Sequence, residues 1–145
     1  MKKIFKFAGM RPLVATALVL ASVGFAKGED NPRAAILCVW SQQSFLLFVG
    51  ENCKPDDNEM LDTLKKNVSN MESVILSNQY AAQAQLDATR NQLKLDLERA
   101  PGGMCRSGGA LDLYMLFKQS GPAKLAALAD VVLDVERKPA TNPCQ

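Results

Sequence analysis

Residues 57–100 contain neither Gly nor Pro, and this absence is the strongest constraint that the sequence places on the fold. Gly and Pro are the residues that most often interrupt helices, so a segment of this length without them predicts helix. Apolar side chains also recur at three- and four-residue spacing, as on a helix with one buried face. The positions are Leu61, Leu64, Val68, Met71 and Ile75, followed more weakly by Ala82, Leu86, Leu93 and Leu97.

A single straight helix over 57–100 would be about 65 Å long. A compact domain of this size has a radius of gyration of only about 13–14 Å. Ser77, Asn78 and Gln79 place poor helix formers on the apolar stripe. We therefore expect a break or kink at 77–79, and a projecting helical hairpin is the alternative.

The segment from Pro32 to Val49 is the most apolar part of the chain after residue 31, and it contains the only Trp, Trp40. Its apolar residues surround the helical wheel and are interrupted only at 41–44, which predicts a buried central helix with Trp40 in the core. The alternative is a hairpin of residues 36–40 and 44–49, because both runs are β-prone. A lone hairpin is only marginally stable, so we favour the helix.

The remaining segments also predict short helices. We expect a turn at 50–54 and a helix that starts among acidic residues, where carboxylates complement the helix dipole. These residues are Asp56, Asp57, Glu59 and Asp62. A glycine-rich turn at 101–109 is followed by helices at 111–119 and 122–137, the last one amphipathic. The sequence thus predicts an all-α bundle of about four to five helices.

Residues 1–26 have the pattern of a bacterial secretory signal peptide. Basic side chains precede an apolar stretch of residues 12–25, and Gly24 and Ala26 are the small residues that signal peptidase requires. The apolar stretch is shorter than the roughly 20 residues of a membrane span. We expect cleavage after Ala26, a single helical domain over 27–145, and a periplasmic or secreted protein that touches the membrane only through its signal peptide.

The charge distribution supports this division of the chain. The 145 residues include 17 Lys and Arg and 15 Asp and Glu, for a net charge of +2. The first 26 residues carry +4, so the remainder carries −2. Nucleic-acid-binding domains usually show a basic surface. We therefore expect no nucleic-acid partner.

The four cysteines predict two disulfides, because an exported chain folds in an oxidising compartment. They are Cys38, Cys53, Cys105 and Cys144. A mostly helical 57–100 would hold Cys53 and Cys105 too far apart to be bridged. The pairs expected from this reasoning are 38–53 and 105–144.

The sequence lacks the groups that most enzymes and metal sites use. There is no His, which excludes His-dependent triads and most zinc sites. No nucleophile-elbow, metalloprotease or phosphate-loop motif occurs, and the acidic run does not fit a calcium loop. We therefore expect no enzymatic activity, no cofactor and no metal.

The function predicted by exclusion is protein–protein interaction, as in an inhibitor, an immunity factor, a chaperone or a secretion-system accessory. The partner would be another envelope or secreted protein. The expected surface is the polar part of 78–96 with the loop at 101–109, and its candidate residues are Asn78, Gln79, Tyr80, Gln83, Gln85, Arg90, Gln92 and Arg106. The alternative is a helical carrier of a small hydrophobic ligand, for which the all-round apolar first helix is the motivation.

Overall fold

Five α-helices and their connections make up the part of the chain that the computed structural model describes, residues 32–100, 102–106 and 108–134. The helices are α1 (Pro32–Cys53), α2 (Asn58–Ser77), α3 (Gln83–Glu98), α4 (Ala110–Ser120) and α5 (Pro122–Leu133). These ranges contain no strand, so the prediction of an all-α bundle is confirmed. The predicted signal peptide and Cys144 lie outside the described residues.

Helix α1 is the central helix and contacts each of the other four. The helix predicted from Pro32 to Val49 is therefore confirmed, and the hairpin is excluded. However, the helix continues to Cys53, so the turn predicted at 50–54 is wrong. Gly50 serves a different purpose, because a Cβ at this position would lie 2.6 Å from Cε2 of Tyr114. The glycine allows α4 to approach the backbone of α1 closely.

The segment Arg33–Cys53 is also the one helix in the described ranges that is long and apolar enough to cross a membrane, with a mean hydropathy of 1.3. More than half (56%) of its most apolar stretch of 18 residues is buried inside the protein. An apolar helix with this degree of burial fits the core of a bundle. The prediction that Trp40 is a core residue is confirmed, since only 2% of it is exposed.

The predicted interruption of 57–100 is confirmed, because α2 ends at Ser77 and α3 begins at Gln83. Gln79 has a φ of 55°, in the left-handed region that glycine usually occupies at this point. The N–H of Tyr80 donates to the carbonyl oxygen of Ile75 at 2.9 Å. This bond closes the end of α2 and lets the chain turn back along α1.

Two hydrophobic cores lie one after the other along α1. The first, named here the Trp40 core, consists of Ala35, Ile36, Val39, Trp40, Val68, Met71, Ile75, Leu86 and Val132. The second, the Tyr114 core, consists of Leu46, Val49, Met60, Leu64, Leu97, Tyr114 and Leu125. The order of these residues shows that α2 and α5 run antiparallel to α1, whereas α3 runs parallel to it.

A buried polar pair lies between the two cores. Gln43 is completely buried, and its Nε2 donates to the carbonyl oxygen of Leu125 at 3.1 Å. Its Oε1 accepts a hydrogen bond from Nδ2 of Asn67 at 2.9 Å. These bonds connect α1, α2 and α5 between the two cores. They also satisfy amide groups that would otherwise be costly to bury.

The disulfide between Cys53 and Cys105 corrects the predicted pairing. The two Cα atoms lie 5.3 Å apart, so the pairs 38–53 and 105–144 are wrong. The error arose because a continuous helix was assumed to separate these residues. Instead, α3 runs back toward the end of α1 and returns Cys105 to Cys53. Cys38 is also disulfide-bonded.

Candidate functional site

The predicted partner-binding residues are spread along the bundle instead of forming one patch. Tyr80 packs against the Trp40 core, near the start of α1. Arg106 follows Cys105, which is bonded to Cys53 at the other end of α1. These 22 residues of helix span roughly 33 Å. A single contact surface for a small partner therefore does not include all eight predicted residues.

Four of the predicted residues, on α3 and at the end of α2, form hydrogen bonds with groups nearby in the chain. Nε2 of Gln83 donates to Asp87 at 2.9 Å, and Nε2 of Gln92 donates to Asp96 at 2.7 Å. Oε1 of Gln85 accepts from the N–H of Ala82, as in the capping box at a helix start. Asn78 similarly donates to a backbone carbonyl of its own helix. These exposed residues stabilise the helix ends and the solvated face that carries them.

Arg90 differs from its polar neighbours because its guanidinium contacts residues of two other helices. Its guanidinium forms an ion pair with Glu72, which also accepts the Trp40 indole N–H at 2.8 Å. The guanidinium carbon lies 5.7 Å from the centre of the Trp40 ring, within range of a cation–π interaction. Arg90 thus fixes α3 to α1 and α2.

The outer face of α4 carries exposed leucines that the sequence analysis did not select. Leu113 and Leu116 are 40% and 57% exposed, and their three-residue spacing places them side by side. The signal in the sequence was the composition of α4, in which apolar residues occupy more of the helix than one buried face can accommodate. These two leucines define what we call the α4 surface.

A polar clamp holds α4 in place from its inner side. The hydroxyl of Tyr114 donates to Oδ2 of Asp57 at 2.9 Å, and Nζ of Lys118 lies 2.8 Å from the same oxygen. Tyr114 is completely buried, and only 12% of the Asp57 side chain is exposed. We call these three residues the α4 clamp. The clamp attaches α4 to the start of α2, and the disulfide attaches the loop before α4 to the C-terminal end of α1.

The ionisation of the α4 clamp follows from its surroundings. Burial alone would raise the pKa of Asp57. The hydrogen bonds from Lys118 and Tyr114 and the positive charge of Lys118 outweigh burial and hold this pKa below its ordinary value. Burial, with the hydrogen bond to Asp57 and its negative charge, raises the pKa of Tyr114 well above its ordinary value. At neutral pH the carboxylate is therefore charged and the phenol is neutral.

A second concave feature lies between α1, α2 and α3. It is a cleft of about 210 Å³, and it is lined by Ser44, Leu47, Phe48, Glu51, Val68, Arg90 and Leu93. No group of three or more His, Cys, Asp or Glu side chains with the spacing of a metal site occurs in the described residues.

Comparison with protein-family models, with curated proteins and with solved structures finds no match to this chain.

Proposed function

We propose that this protein is exported to the periplasm or the medium of a bacterium and acts there, without catalysis, by binding another protein. The observation that carries the proposal is the α4 surface. Contiguous exposed apolar side chains on a soluble domain mark interaction sites more often than isolated ones do. Here Leu113 and Leu116 lie next to each other on a helix whose buried residue, Tyr114, packs into the core.

The attachment of α4 supports the same proposal. A binding surface gains affinity when its residues are ordered before the partner arrives. The clamp and the Cys53–Cys105 disulfide order this helix and the loop before it from two sides. Arg106 is an exposed cation in the loop that precedes α4, and charges near a binding surface steer association and improve specificity.

The disulfide also supports export, because such crosslinks persist in oxidising compartments and are rare in the cytosol. A bacterial host that expresses the full chain provides the test. We expect the periplasmic fraction to contain a protein whose N-terminal residue is Lys27. Recovery of the intact chain, beginning at Met1, in the cytoplasmic fraction would contradict export.

Partner binding is tested with two variants that are matched for exposure. Leu116 and Val131 are both 57% exposed, but Val131 neighbours Val132 of the Trp40 core and lies away from the α4 surface. The oxidised protein is immobilised, and bound proteins are identified from an envelope extract by mass spectrometry. We expect Leu116→Glu to lose a stoichiometric partner that the wild type and Val131→Glu retain. Equal capture by all three proteins, or no stoichiometric partner for the wild type, would contradict the proposal.

A further inference from the structure

The disulfide between Cys53 and Cys105 lies at the surface of the bundle. Cys105 is exposed and Cys53 is half-buried. The loop around Cys105 is loosely packed, because a Cβ added to Gly103, Gly108 or Gly109 would meet no atom of the described protein within 4 Å. Another molecule can therefore approach the disulfide from its Cys105 side.

The described part of this loop forms its hydrogen bonds close by in the chain. The N–H of Gly103 donates to the carbonyl oxygen of Ala100 at 2.9 Å, and the N–H of Gly108 donates to Asp112 in the first turn of α4. Met104 packs against the Tyr114 core. Among the described residues, the disulfide is the covalent link and Met104 the apolar contact that hold this loop against the bundle.

The helices have attachments that do not involve this disulfide. Tyr114 is completely buried in its core, and the α4 clamp joins α4 to the start of α2. Cys38 is 6% exposed and belongs to a different disulfide, since Cys53 and Cys105 are bonded to each other. Opening of the Cys53–Cys105 bond should therefore release the loop and leave the helices folded.

Access also determines how the bond would open. Thiol–disulfide exchange begins when a thiolate attacks one of the two sulfurs, and the accessible sulfur is attacked first. Cys105 is the accessible residue, because Cys53 packs against the Tyr114 core. Arg106, the exposed residue after Cys105, favours the approach of an anionic thiolate by charge attraction.

A dithiol completes the exchange in two displacements. Its first thiolate bonds to the sulfur of Cys105 and breaks the bond to Cys53, which leaves as a thiolate and takes up a proton. The second thiol of the reductant then displaces Cys105 from the mixed disulfide. The dithiol ends as a disulfide, and two electrons and two protons have passed to Cys53 and Cys105.

We propose that the Cys53–Cys105 disulfide is a redox switch, which a dithiol oxidoreductase opens by attack on Cys105 and its disulfide form closes by the reverse exchange. Exposed disulfides are the class in which labile and regulatory bonds occur. In the closed state the loop is fixed to the end of α1. In the open state the loop is released while the helices remain folded. The switch does not rest on the proposed protein partner, because it is read from the disulfide and the loop themselves.

Selective reduction is the first test. The oxidised, exported protein is treated with increasing concentrations of dithiothreitol, free thiols are alkylated, and the modified cysteines are identified by peptide mass spectrometry. We expect Cys53 and Cys105 to be alkylated together, at a concentration about tenfold below that needed for Cys38, with the helical circular dichroism signal retained. Alkylation of Cys38 at a similar or lower concentration, or loss of the helical signal when Cys53 and Cys105 open, would overturn the proposal.

Limited digestion with trypsin measures the release of the loop. Cleavage after Arg106 should become about tenfold faster on reduction, whereas cleavage after Lys66, in the middle of α2, should stay slow. The double variant Cys53→Ala with Cys105→Ala should show the fast cleavage without reductant. Rapid cleavage after Lys66 in that variant would show that it is unfolded, and the wild type before and after reduction then decides. An unchanged rate after Arg106 in the wild type would contradict the switch.

The site of attack is tested with a thioredoxin in which the resolving cysteine is replaced by serine. This protein stops at the mixed disulfide, because it lacks the second thiol. We expect peptide mapping to place the trapped bond on Cys105. A bond on Cys53, or the absence of any mixed disulfide, would overturn the proposal.

Discussion

Gly50 of α1 faces Tyr114 of α4 with no room for a Cβ, and Gly50→Ala tests this contact directly. The added Cβ would lie 2.6 Å from Cε2 of Tyr114 and 2.7 Å from Cδ2 of Leu61. The leucine methyl can rotate away. The tyrosine ring cannot move as easily, because its hydroxyl is held by Asp57 in the α4 clamp.

Two opposing effects set the expected magnitude for Gly50→Ala. Overpacking a core costs about 1–3 kcal/mol, and a restrained ring places this substitution near the upper end of that range. Alanine in a helix interior is more favourable than glycine by about 1 kcal/mol. We therefore expect a net loss of about 2 kcal/mol in the free energy of unfolding.

Urea denaturation of the oxidised protein, followed by circular dichroism, measures this loss. The control is the same substitution combined with Tyr114→Ala, which removes the ring. In that background Gly50→Ala should become neutral or stabilising, since the helix preference remains and the overlap is gone. If Gly50→Ala alone stabilised the protein by about 1 kcal/mol, the contact with Tyr114 could not be a rigid one.

Three further predictions concern the clamp, the disulfide and the cleft. The pKa of Asp57 is lower in the folded protein than its ordinary value of 3.8. The charged carboxylate therefore stabilises the fold above pH 3.8, and this stabilisation is lost as the pH falls through the pKa of the folded protein. Urea titrations below about pH 4 should show a shallower pH dependence for Asp57→Asn, and an unchanged slope would refute this assignment. Replacing both Cys53 and Cys105 by Ala removes a crosslink between residues separated by 52 positions. The free energy of unfolding, measured by urea denaturation, should fall by up to about 4 kcal/mol. A fall of less than about 1 kcal/mol would contradict a structural role for the disulfide. Ser44→Ala removes an unpaired buried hydroxyl and should raise the thermal midpoint, with a gain of at least about 1 kcal/mol; destabilisation would mean that the hydroxyl has a partner in the folded protein.

The buried face and the end of α2 could be read from local sequence signals. The stripe from Leu61 to Ile75 predicted the buried face of α2, and all five of its residues are at most 6% exposed. The weak helix formers at 77–79 predicted the end of that helix, which falls at Ser77. These predictions succeeded because helix periodicity and helix termination depend on residues within a few positions of one another.

The candidate sites were less accessible to sequence reasoning. Arg90 was grouped with the solvated polar residues of α3, although it forms an ion pair with Glu72 of α2 and lies over the Trp40 ring of α1. Leu113 and Leu116 could be assigned to α4 but not to its outer face, because either side of this apolar helix could have been buried. The sequence did not indicate that the Ser44 hydroxyl is buried without a partner, because burial and hydrogen bonding depend on which residues of other helices surround it.

The sequence by itself determined that the described chain is all-α, that the helical stretch of 57–100 is interrupted at 77–79, and that its cysteines serve as crosslinks. The tertiary structure alone decided that α3 runs parallel to α1, and from this direction follow the Cys53–Cys105 disulfide and the cleft beside Ser44. The physical reason is the range of the interactions involved. A helix is specified by neighbouring residues, whereas the direction in which the next helix returns depends on apolar contacts between residues far apart in the chain, such as Leu97 with the end of α1.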